Sequence, residues 1–244
     1  MVFLASVLVV GAKGRMGTLL RAAVEADANL SLAGGYDADN ISELDSVAPA
    51  VDLVIDFSAP ASLPHVEAYV RRTHAALLSG TTGLSAEDLS RIEALGQVAP
   101  VIWSGNYSLG VAVLRHLARE AAASLTGWDT EIVECHHNRK ADAPSGTAKM
   151  LLEAVDPAGE RSVAYGREGI VGPRPASEIG MHSLRGGTVA GTHTVHFFGP
   201  DEELEFTHRA TSRQIFVNGA LHMARLLPGK ANGCYDLQKV LFGE

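Results

Sequence analysis

The chain has 244 residues, of which 46% are hydrophobic, and a formal net charge of −8. This length and composition allow a full hydrophobic core, arranged as one large or two modest domains. The negative charge argues against nucleic acid or an acidic membrane surface as the main partner, because both bind cationic faces. The two cysteines lie far apart in sequence, which disfavours a disulfide scaffold and indicates a reducing, cytoplasmic location.

The first hundred residues alternate short apolar strands with amphipathic helices. The apolar start, residues 1–10, has no basic segment and runs directly into glycines, so it predicts a first strand rather than a signal peptide or a membrane span. The alternation predicts a parallel, Rossmann-type sheet with helices on both faces. In chain order the predicted elements are strand 6–10, helix 16–26, strand 32–35, strand 51–57, helix 61–72, strand 75–79, helix 86–95 and strand 101–103.

The pattern changes in the second half of the chain. The segment 159–178 is rich in glycine, proline and arginine, which predicts a long excursion or a lid. Sequential strands joined by short turns then predict an antiparallel or mixed sheet, so the fold class is α/β with a second, α+β domain. In chain order the predicted elements are helix 109–125, strand 130–133, helix 147–154, strands 179–184, 188–198 and 203–208, and helix 215–227.

The turn between the first predicted strand and helix carries three glycines, Gly11, Gly14 and Gly17, in a G-x-x-G-x-x-G pattern. Glycine lets the backbone turn tightly and approach a pyrophosphate, which would rest on the helix N-terminus. Asp37 follows at the end of the second strand, where an acid hydrogen-bonds a ribose. A plain glycine turn is the alternative, but the strand–turn–helix context together with Asp37 favours a dinucleotide site.

Further candidate dinucleotide contacts follow two later strands, because ligands bind where the strands of a parallel sheet end. Asp37 favours NADH over NADPH, since a carboxylate repels the additional phosphate. Lys13 and Arg15 could offset that repulsion, so use of both cofactors stays open. The candidate cofactor contacts are Gly11, Ala12, Lys13, Gly14, Arg15, Met16, Asp37, Gly80, Thr81, Thr82, Ser104, Gly105, Asn106 and Tyr107.

The segment 134–147 places two imidazoles, a lysine and a Ser-Gly-Thr turn between a predicted strand and a predicted helix. Such a segment offers a proton donor, a cation and backbone N–H groups to one small anionic molecule, and Ser145 can cap the helix. Metal binding by His136 and His137 is disfavoured, because adjacent strand residues point to opposite faces. Cys135 is a poor candidate nucleophile, since a neighbouring histidine rarely satisfies the geometry of attack.

These motifs together resemble the 4-hydroxy-tetrahydrodipicolinate reductase family, also called dihydrodipicolinate reductases. The most specific is the string Glu-x-His-His-x-x-Lys-x-Asp-Ala-Pro-Ser-Gly-Thr at residues 134–147. Other matching motifs extend over nearly the whole chain: Gly11 to Gly17, Asp56-Phe57-Ser58, Gly80 to Gly83, Asn106-Tyr107-Ser108, Glu178-Ile179-Gly180, Arg185-Gly186-Gly187 with His193, and Ser212-Arg213.

The resemblance implies a reaction and residue roles. The reaction is the NAD(P)H-dependent reduction of 4-hydroxy-tetrahydrodipicolinate to tetrahydrodipicolinate, with loss of water, in lysine biosynthesis through diaminopimelate. His136 corresponds to the general acid and Lys140 to a second catalytic residue that also holds the substrate. His137, Gly146 and Thr147 correspond to substrate contacts, and we add Ser145 because it precedes the same helix.

The resemblance also implies an organisation: a cytoplasmic homotetramer without metal, assembled through the sheet of the second domain. The dinucleotide-binding domain comprises 1–107 plus 217–244, and the substrate-binding and oligomerisation domain comprises 108–216. Ala38 stands where some members carry an arginine for the additional phosphate of NADPH, which favours NADH. Two alternatives stay open: another NAD(P)-dependent reductase of a small dicarboxylate, and a non-catalytic Rossmann sensor of NADH.

Overall fold

A computed structural model of the protein describes residues 4–243. Residues 1–3 and 244, which belong to the predicted cofactor domain, lie outside the described residues. The chain divides into two compact units, with boundaries between Ser108 and Leu109 and between Arg213 and Gln214. Unit 1 contains the segments before and after the two boundaries, and unit 2 contains the segment between them. None of the described helices is long and apolar enough to cross a membrane.

Unit 1 is built on six parallel strands in the order β11-β5-β4-β3-β1-β2. Its strands are β1 (Ala5–Val10), β2 (Leu30–Tyr36), β3 (Leu53–Asp56), β4 (Ala76–Ser79), β5 (Pro100–Trp103) and β11 (Gly233–Tyr235). Its helices are α1 (Arg15–Glu25), α2 (Leu63–Thr73), α3 (Ala86–Leu95), α6 (Gln214–Leu226) and α7 (Leu237–Phe242). The prediction of a parallel sheet is confirmed.

The central strands of unit 1 are apolar on both sides, which explains why helices cover both faces of this sheet. Leu8, Val54 and Leu77 pack in one core cluster with side chains of α2 and α3. The alternating residues Val9 and Ile55 point to the opposite face and are equally buried. Such continuous apolar strands are typical of parallel sheets, in which no face meets water.

Unit 2 contains a five-stranded mixed sheet in the order β10-β9-β6-β8-β7, which confirms the predicted mixed sheet. Strands β9 and β10 pair antiparallel to each other, β9 pairs antiparallel to β6, and β8 runs parallel to both β6 and β7. The elements are α4 (Leu109–Ser124), β6 (Asp129–His136), α5 (Gly146–Val155), β7 (Ser162–Ala164), β8 (Glu178–Arg185), β9 (Gly191–Gly199) and β10 (Glu202–Ala210). The unit 2 core lies between the sheet and the helices α4 and α5.

Several predicted boundaries were wrong. The predicted strand 130–133 continues to His136, because Glu134 and His136 belong to the buried face of β6, which is buried at every second position. Strand β9 starts at Gly191 rather than at residue 188, since the turn after Arg185 extends over the first residues of the predicted strand. The prediction also missed the short strands β7 and β11 and the helix α7, whose three to six residues are too few for a visible period.

The segment 159–178, predicted as an excursion or a lid, contributes β7 to the sheet and carries an ion-pair network. Arg174 donates to Glu131 (3.1 Å) and to Asp129 (2.6 Å), and Arg167 donates to Glu131 at 2.8 Å. Burial alone would raise the pKa of Glu131, but hydrogen bonds from Arg167, His182 and Arg174 lower it to about 2. The arginines of this segment therefore hold it against the half-buried side of β6.

Candidate active site

The glycine turn of unit 1 connects β1 to α1. Gly11 has φ +78°, and a Cβ atom there would lie 2.5 Å from the carbonyl oxygen of Phe57. A Cβ atom on Gly17 would overlap the Gly11 carbonyl, so both positions require glycine. Helix α1 starts after Gly14 without a side-chain cap and without an acidic residue in its first turn. An uncapped helix N-terminus behind a glycine turn fits a pyrophosphate group.

Asp37, directly after β2, contacts this turn. Its Oδ2 accepts the backbone N–H of Lys13 at 2.8 Å, and its Oδ1 accepts that of Ala38 at 3.0 Å. The ammonium group of Lys13 pairs with Asp39 at 2.5 Å. Asp37 thus lies directly against the glycine turn. The only lysine of the turn, whose charge could favour a phosphorylated ribose, is paired with a second carboxylate.

The other predicted cofactor residues follow β4 and β5, at the same edge of the sheet. The Trp103 indole donates to the Thr81 carbonyl at 2.9 Å, and the buried Tyr107 hydroxyl donates to the Ser79 carbonyl at 2.7 Å. The Ser104 N–H also donates to the Ser79 carbonyl, at 3.1 Å. Thr82 and Gly105 are exposed. The structure therefore connects the two segments Gly80–Thr82 and Ser104–Tyr107 through hydrogen bonds between neighbouring strand ends.

In unit 2, the catalytic candidate His136 is the last residue of β6. The residue is 8% exposed, and Glu134, two residues earlier on the same face, is fully buried. Nδ1 of His136 bonds Oε2 of Glu134. Burial lowers the pKa of His136, and the Glu134 carboxylate opposes that effect without cancelling it. The carboxylate also fixes the ring orientation, so Nε2 is the nitrogen that remains for a ligand.

Glu134 connects His136 to the start of α5. Its Oε1 accepts the Ser145 N–H at 3.3 Å and the Arg185 guanidinium at 2.8 Å. Burial would raise the pKa of Glu134, but hydrogen bonds from Arg185, Ser183 and His136 lower it, so the carboxylate is ionised at neutral pH. Sequence reasoning assigned no role to Glu134 or Arg185.

Ser145 caps α5 as predicted, since its hydroxyl accepts the N–H of Ala148 at 3.2 Å. Gly146 is exposed, and a Cβ atom there would meet no other atom within 4 Å. Thr147 lies in the first turn beside it. The helix therefore presents its N-terminal backbone to open space, which is an arrangement suited to a carboxylate.

A second buried histidine, His193 on β9, adjoins this site. Its Nε2 lies 3.2 Å from the Ser145 hydroxyl, and its ring contacts His136 edge-to-face at 5.1 Å. Burial and the neighbouring His136 lower the pKa of His193 to about 4, so it is neutral at physiological pH. Three side-chain nitrogens of this region of the sequence are buried and have no hydrogen-bond partner among the described residues. They are Nδ1 of His193, Nδ1 of His137 and Nε of Arg185. Buried nitrogens of this kind can donate to or accept from a polar ligand or water.

Lys140, the second catalytic candidate, lies in the loop after β6. Its ammonium group bonds both carboxylate oxygens of Asp142, at 2.7 and 2.9 Å. Asp142 is exposed and its carbonyl accepts from Arg185 at 2.7 Å. A substrate carboxylate that binds the Lys140 ammonium must therefore displace the Asp142 carboxylate or share the ammonium group with it. This competition was not predicted from the sequence.

Glu134, His136 and His193 each place one potential ligand atom within 4.8 Å of the others. From the sequence, His137 and not His193 was the possible partner of His136 in a metal site. In the structure the Glu134 carboxylate bonds Arg185 and His136, and His193 bonds Ser145. These bonds occupy one ring nitrogen of each histidine and both oxygens of the Glu134 carboxylate.

One signal in the sequence could have revealed Glu134. In β6 the residues at every second position are buried, and these are Thr130, Ile132, Glu134 and His136. A glutamate on the buried face of a strand requires a cation or several donors. The strand was predicted only as far as residue 133, which placed Glu134 in a loop and concealed this requirement.

Taken together, a parallel dinucleotide-type sheet and a separate unit with buried histidines and a capped helix define a two-unit, NAD(P)-dependent class of oxidoreductase. Two sequence models of one family cover the chain: "Dihydrodipicolinate reductase, N-terminus" matches residues 5–107 and "Dihydrodipicolinate reductase, C-terminus" matches residues 110–241. The chain belongs to the dihydrodipicolinate reductase family. The predicted family and the predicted NAD(P)H-dependent oxidoreductase are confirmed.

Relatives and solved structures agree with this assignment. The 4-hydroxy-tetrahydrodipicolinate reductase of Akkermansia muciniphila is 43% identical over 241 residues, which is 97% of each chain. That of Syntrophotalea carbinolica is 42% identical and covers 96% of this chain and 98% of its own. A dipicolinate-bound dihydrodipicolinate reductase from Paenisporosarcina sp. TG-14 has a TM-score of 0.80 at 20% identity, covering 98% of this chain and 100% of its own. This structural similarity, at 20% sequence identity, supports the fold alone.

Proposed function

We propose that the protein reduces 4-hydroxy-tetrahydrodipicolinate to tetrahydrodipicolinate, with loss of water, in lysine biosynthesis through diaminopimelate. The reaction consumes one NADH or NADPH and one proton, and it releases the oxidised dinucleotide and water. The names of the relatives support the substrate, and dipicolinate, which is bound to the solved relative, is a small dicarboxylate. The observation that carries the proposal is the bond between buried Glu134 and His136 beside the start of α5.

His136 serves as the general acid. The ionised Glu134 carboxylate holds a proton on Nδ1 of His136, so proton transfer to the substrate takes place from Nε2. Protonation of the ring is favoured by this carboxylate and opposed by burial. A dianionic substrate at this site adds negative charge, which favours the protonated imidazole further. Substrate binding should therefore raise the pKa of His136.

Lys140, His137 and the start of α5 hold the substrate. The Lys140 ammonium exchanges Asp142 for a substrate carboxylate, which is feasible because that ion pair is partly exposed and therefore weak. Ser145, Gly146 and Thr147 provide the positive end of a helix. His137 contributes a buried ring nitrogen that has no partner among the described residues.

Unit 1 binds the dinucleotide, whose chemistry, when bound, is donation of a hydride. Gly11 to Met16 would hold the pyrophosphate, and Asp37 would bind the ribose next to the adenine. Gly80, Thr81 and Thr82, with Ser104 to Tyr107, would contact the remaining part of the molecule. The Asp37 carboxylate and the Lys13–Asp39 ion pair favour NADH. We further propose a cytoplasmic homotetramer, with 1–107 plus 217–244 as cofactor domain and 108–216 as substrate and oligomerisation domain.

A coupled assay tests this function. The substrate is generated enzymatically in the cuvette, and oxidation of NADH and of NADPH is followed separately. We expect oxidation that depends on the dicarboxylate, faster with NADH. Turnover only with a different small dicarboxylate would identify another reductase, and NADH binding without any turnover would identify a sensor.

A further inference from the structure

The strongest feature outside the proposed chemistry is a buried carboxylate in unit 1. Asp56, the last residue of β3, is 3% exposed, and its hydrogen-bond donors among the described residues are all neutral. Its Oδ2 accepts the hydroxyls of Ser79 (3.0 Å) and Thr81 (2.9 Å). Its Oδ1 accepts the hydroxyl of Ser58 at 2.5 Å and the Ser58 N–H at 3.2 Å. A buried carboxylate whose four donors are all neutral requires an explanation.

The position of β3 in the sheet gives that explanation. Strand β3 lies between β1 and β4, and Asp56 pairs in register with Val10 and Ser79. The glycine turn follows Val10, and the segment Gly80–Thr82 follows Ser79. The end of β3 therefore lies between two segments that the proposed function assigns to the cofactor.

Phe57 and Ser58 contact both of these segments. A Cβ atom on Gly11 would lie 2.5 Å from the Phe57 carbonyl oxygen, and one on Gly80 would overlap the Phe57 ring. The Ser58 N–H donates to the Thr81 hydroxyl at 3.0 Å, while that hydroxyl donates to Asp56. The same residues therefore fix the glycine turn from one side and the Gly80–Thr82 segment from the other.

We propose that Asp56 is a positioning residue for the dinucleotide site, which holds the segment Gly80–Thr82 in its binding conformation through Ser58, Ser79 and Thr81. It does not touch the reacting atoms. Burial raises the pKa of Asp56 in spite of its hydrogen bonds, which agrees with a role that needs acceptors and not a charge. This inference rests on the proposed cofactor role of unit 1.

The chain offers a matched control at the opposite end of the same strands. Asp52, just before β3, accepts the Ser6 N–H at 2.7 Å and the Ser6 hydroxyl at 2.6 Å. It thus makes an aspartate–serine network of the same kind, remote from the strand ends where ligands bind. Replacing Asp52 with alanine removes comparable hydrogen bonds without touching the proposed cofactor segments.

The test measures cofactor and substrate constants in Asp56→Ala, Asp56→Asn and Asp52→Ala. We expect Asp56→Ala to raise the dissociation constant and KM for NADH by roughly tenfold, since it leaves buried hydroxyls unsatisfied. Asp56→Asn should fall between Ala and wild type, because its amide retains one acceptor and the hydroxyls can reorient. KM for the dicarboxylate and kcat at saturating NADH should stay within about twofold of wild type. Asp52→Ala should lower the thermal stability and leave the constants for NADH and the dicarboxylate unchanged.

A spectroscopic readout separates positioning from general destabilisation. The chain has two tryptophans, and Trp103 donates to the Thr81 carbonyl. In a Trp128→Phe background, the emission of Trp103 therefore reports the Gly80–Thr82 segment. We expect a red shift in Asp56→Ala and none in Asp52→Ala.

The inference would be overturned if the dissociation constant and KM for NADH were the same in wild type and in both Asp56 variants. It would also be overturned if the Asp52 and Asp56 variants changed these two constants equally. If Asp56→Ala does not fold, Asp56→Asn is the deciding variant. An unchanged dissociation constant for NADH in Asp56→Asn would then contradict the inference. Failure of the wild-type protein to bind NADH would instead refute the proposed function.

Discussion

Each of the two units places a buried carboxylate near the end of a strand, and the two groups have opposite surroundings. Asp56 in unit 1 is surrounded by hydroxyls and a backbone N–H, and burial raises its pKa. Burial would raise the pKa of Glu134 in unit 2 as well, but Arg185 leads the hydrogen-bond donors that lower it. Neutral donors give Asp56 a favoured geometry without stabilising a full charge, whereas the cation keeps Glu134 ionised.

This difference separates two tasks. A carboxylate with neutral partners can align backbone segments, and its protonation state matters little. An ionised carboxylate bonded to an imidazole controls which nitrogen carries a proton and how easily the ring is charged. We therefore expect substitutions in unit 1 to change cofactor affinity and substitutions around Glu134 to change the pH dependence of turnover.

The largest expected effect belongs to His136. His136→Gln should lower kcat by roughly 100- to 10,000-fold, because a positioned acid is lost. The dissociation constant for NADH should change little, since His136 belongs to unit 2. Steady-state kinetics and NADH titration check both statements. His65→Gln, which removes a histidine paired with Asp45 in unit 1, is the control and should behave as wild type. Wild-type turnover in His136→Gln would remove this residue from the mechanism.

Substitution of Glu134 should have a smaller effect of a distinct kind. The Glu134 carboxylate raises the pKa of His136 against the effect of burial. In Glu134→Gln the pKa of His136 therefore falls, and the protonated acid is lost at a lower pH. We expect the basic limb of the kcat profile to move to lower pH. Turnover at neutral pH should then fall on the order of tenfold for each pH unit that the limb moves.

Glu131→Gln is the matched control on the same strand. Glu131 has a pKa lowered to about 2 by its arginine and histidine partners, after burial has acted to raise it. Its contribution to stability is therefore complete above its usual pKa of 4.5 and is lost as the pH falls towards 2. This variant should unfold more easily at neutral pH and keep the wild-type kcat profile. A basic limb that moves equally in both variants would contradict the role of Glu134.

Cofactor preference should respond to Asp39, but more weakly. Asp39→Ala releases the Lys13 ammonium and removes one negative charge beside the proposed ribose site. Both groups are exposed, so we expect kcat/KM for NADPH relative to NADH to rise only by roughly two- to fivefold at low salt. Asp45→Asn, which removes an equal charge elsewhere in unit 1, should leave the ratio unchanged. An unchanged ratio in Asp39→Ala would show that Lys13 does not reach the cofactor phosphate.

The smallest expected effect concerns Asp142. Asp142→Asn frees Lys140 from its partner, so KM for the dicarboxylate should fall by about twofold, in line with the weak energy of exposed ion pairs. Initial rates at several salt concentrations check this, because screening should remove the difference. A rise in KM would instead show that Asp142 orients Lys140 for the substrate.

Sequence reasoning predicted the parts that have a strong local signal. The parallel sheet of unit 1 follows from its apolar strands, and the Ser145 cap follows from the Ser-Gly-Thr turn. Glu134, Arg185 and His193 received no role, because their meaning depends on the pairing of β6 with β8 and β9. The short strand β11 could not be foreseen for a similar reason, since only its pairing with β5 defines it.

The most direct test compares the two isosteric amides, Glu134→Gln and Asp56→Asn, in one pH series of kcat and NADH dissociation constants. The account predicts opposite results for the two variants. Glu134→Gln shifts the basic limb of the kcat profile and leaves the dissociation constant for NADH unchanged. Asp56→Asn raises the dissociation constant for NADH and leaves the basic limb of the kcat profile unchanged. The same change in both variants, or the reverse assignment, would contradict it.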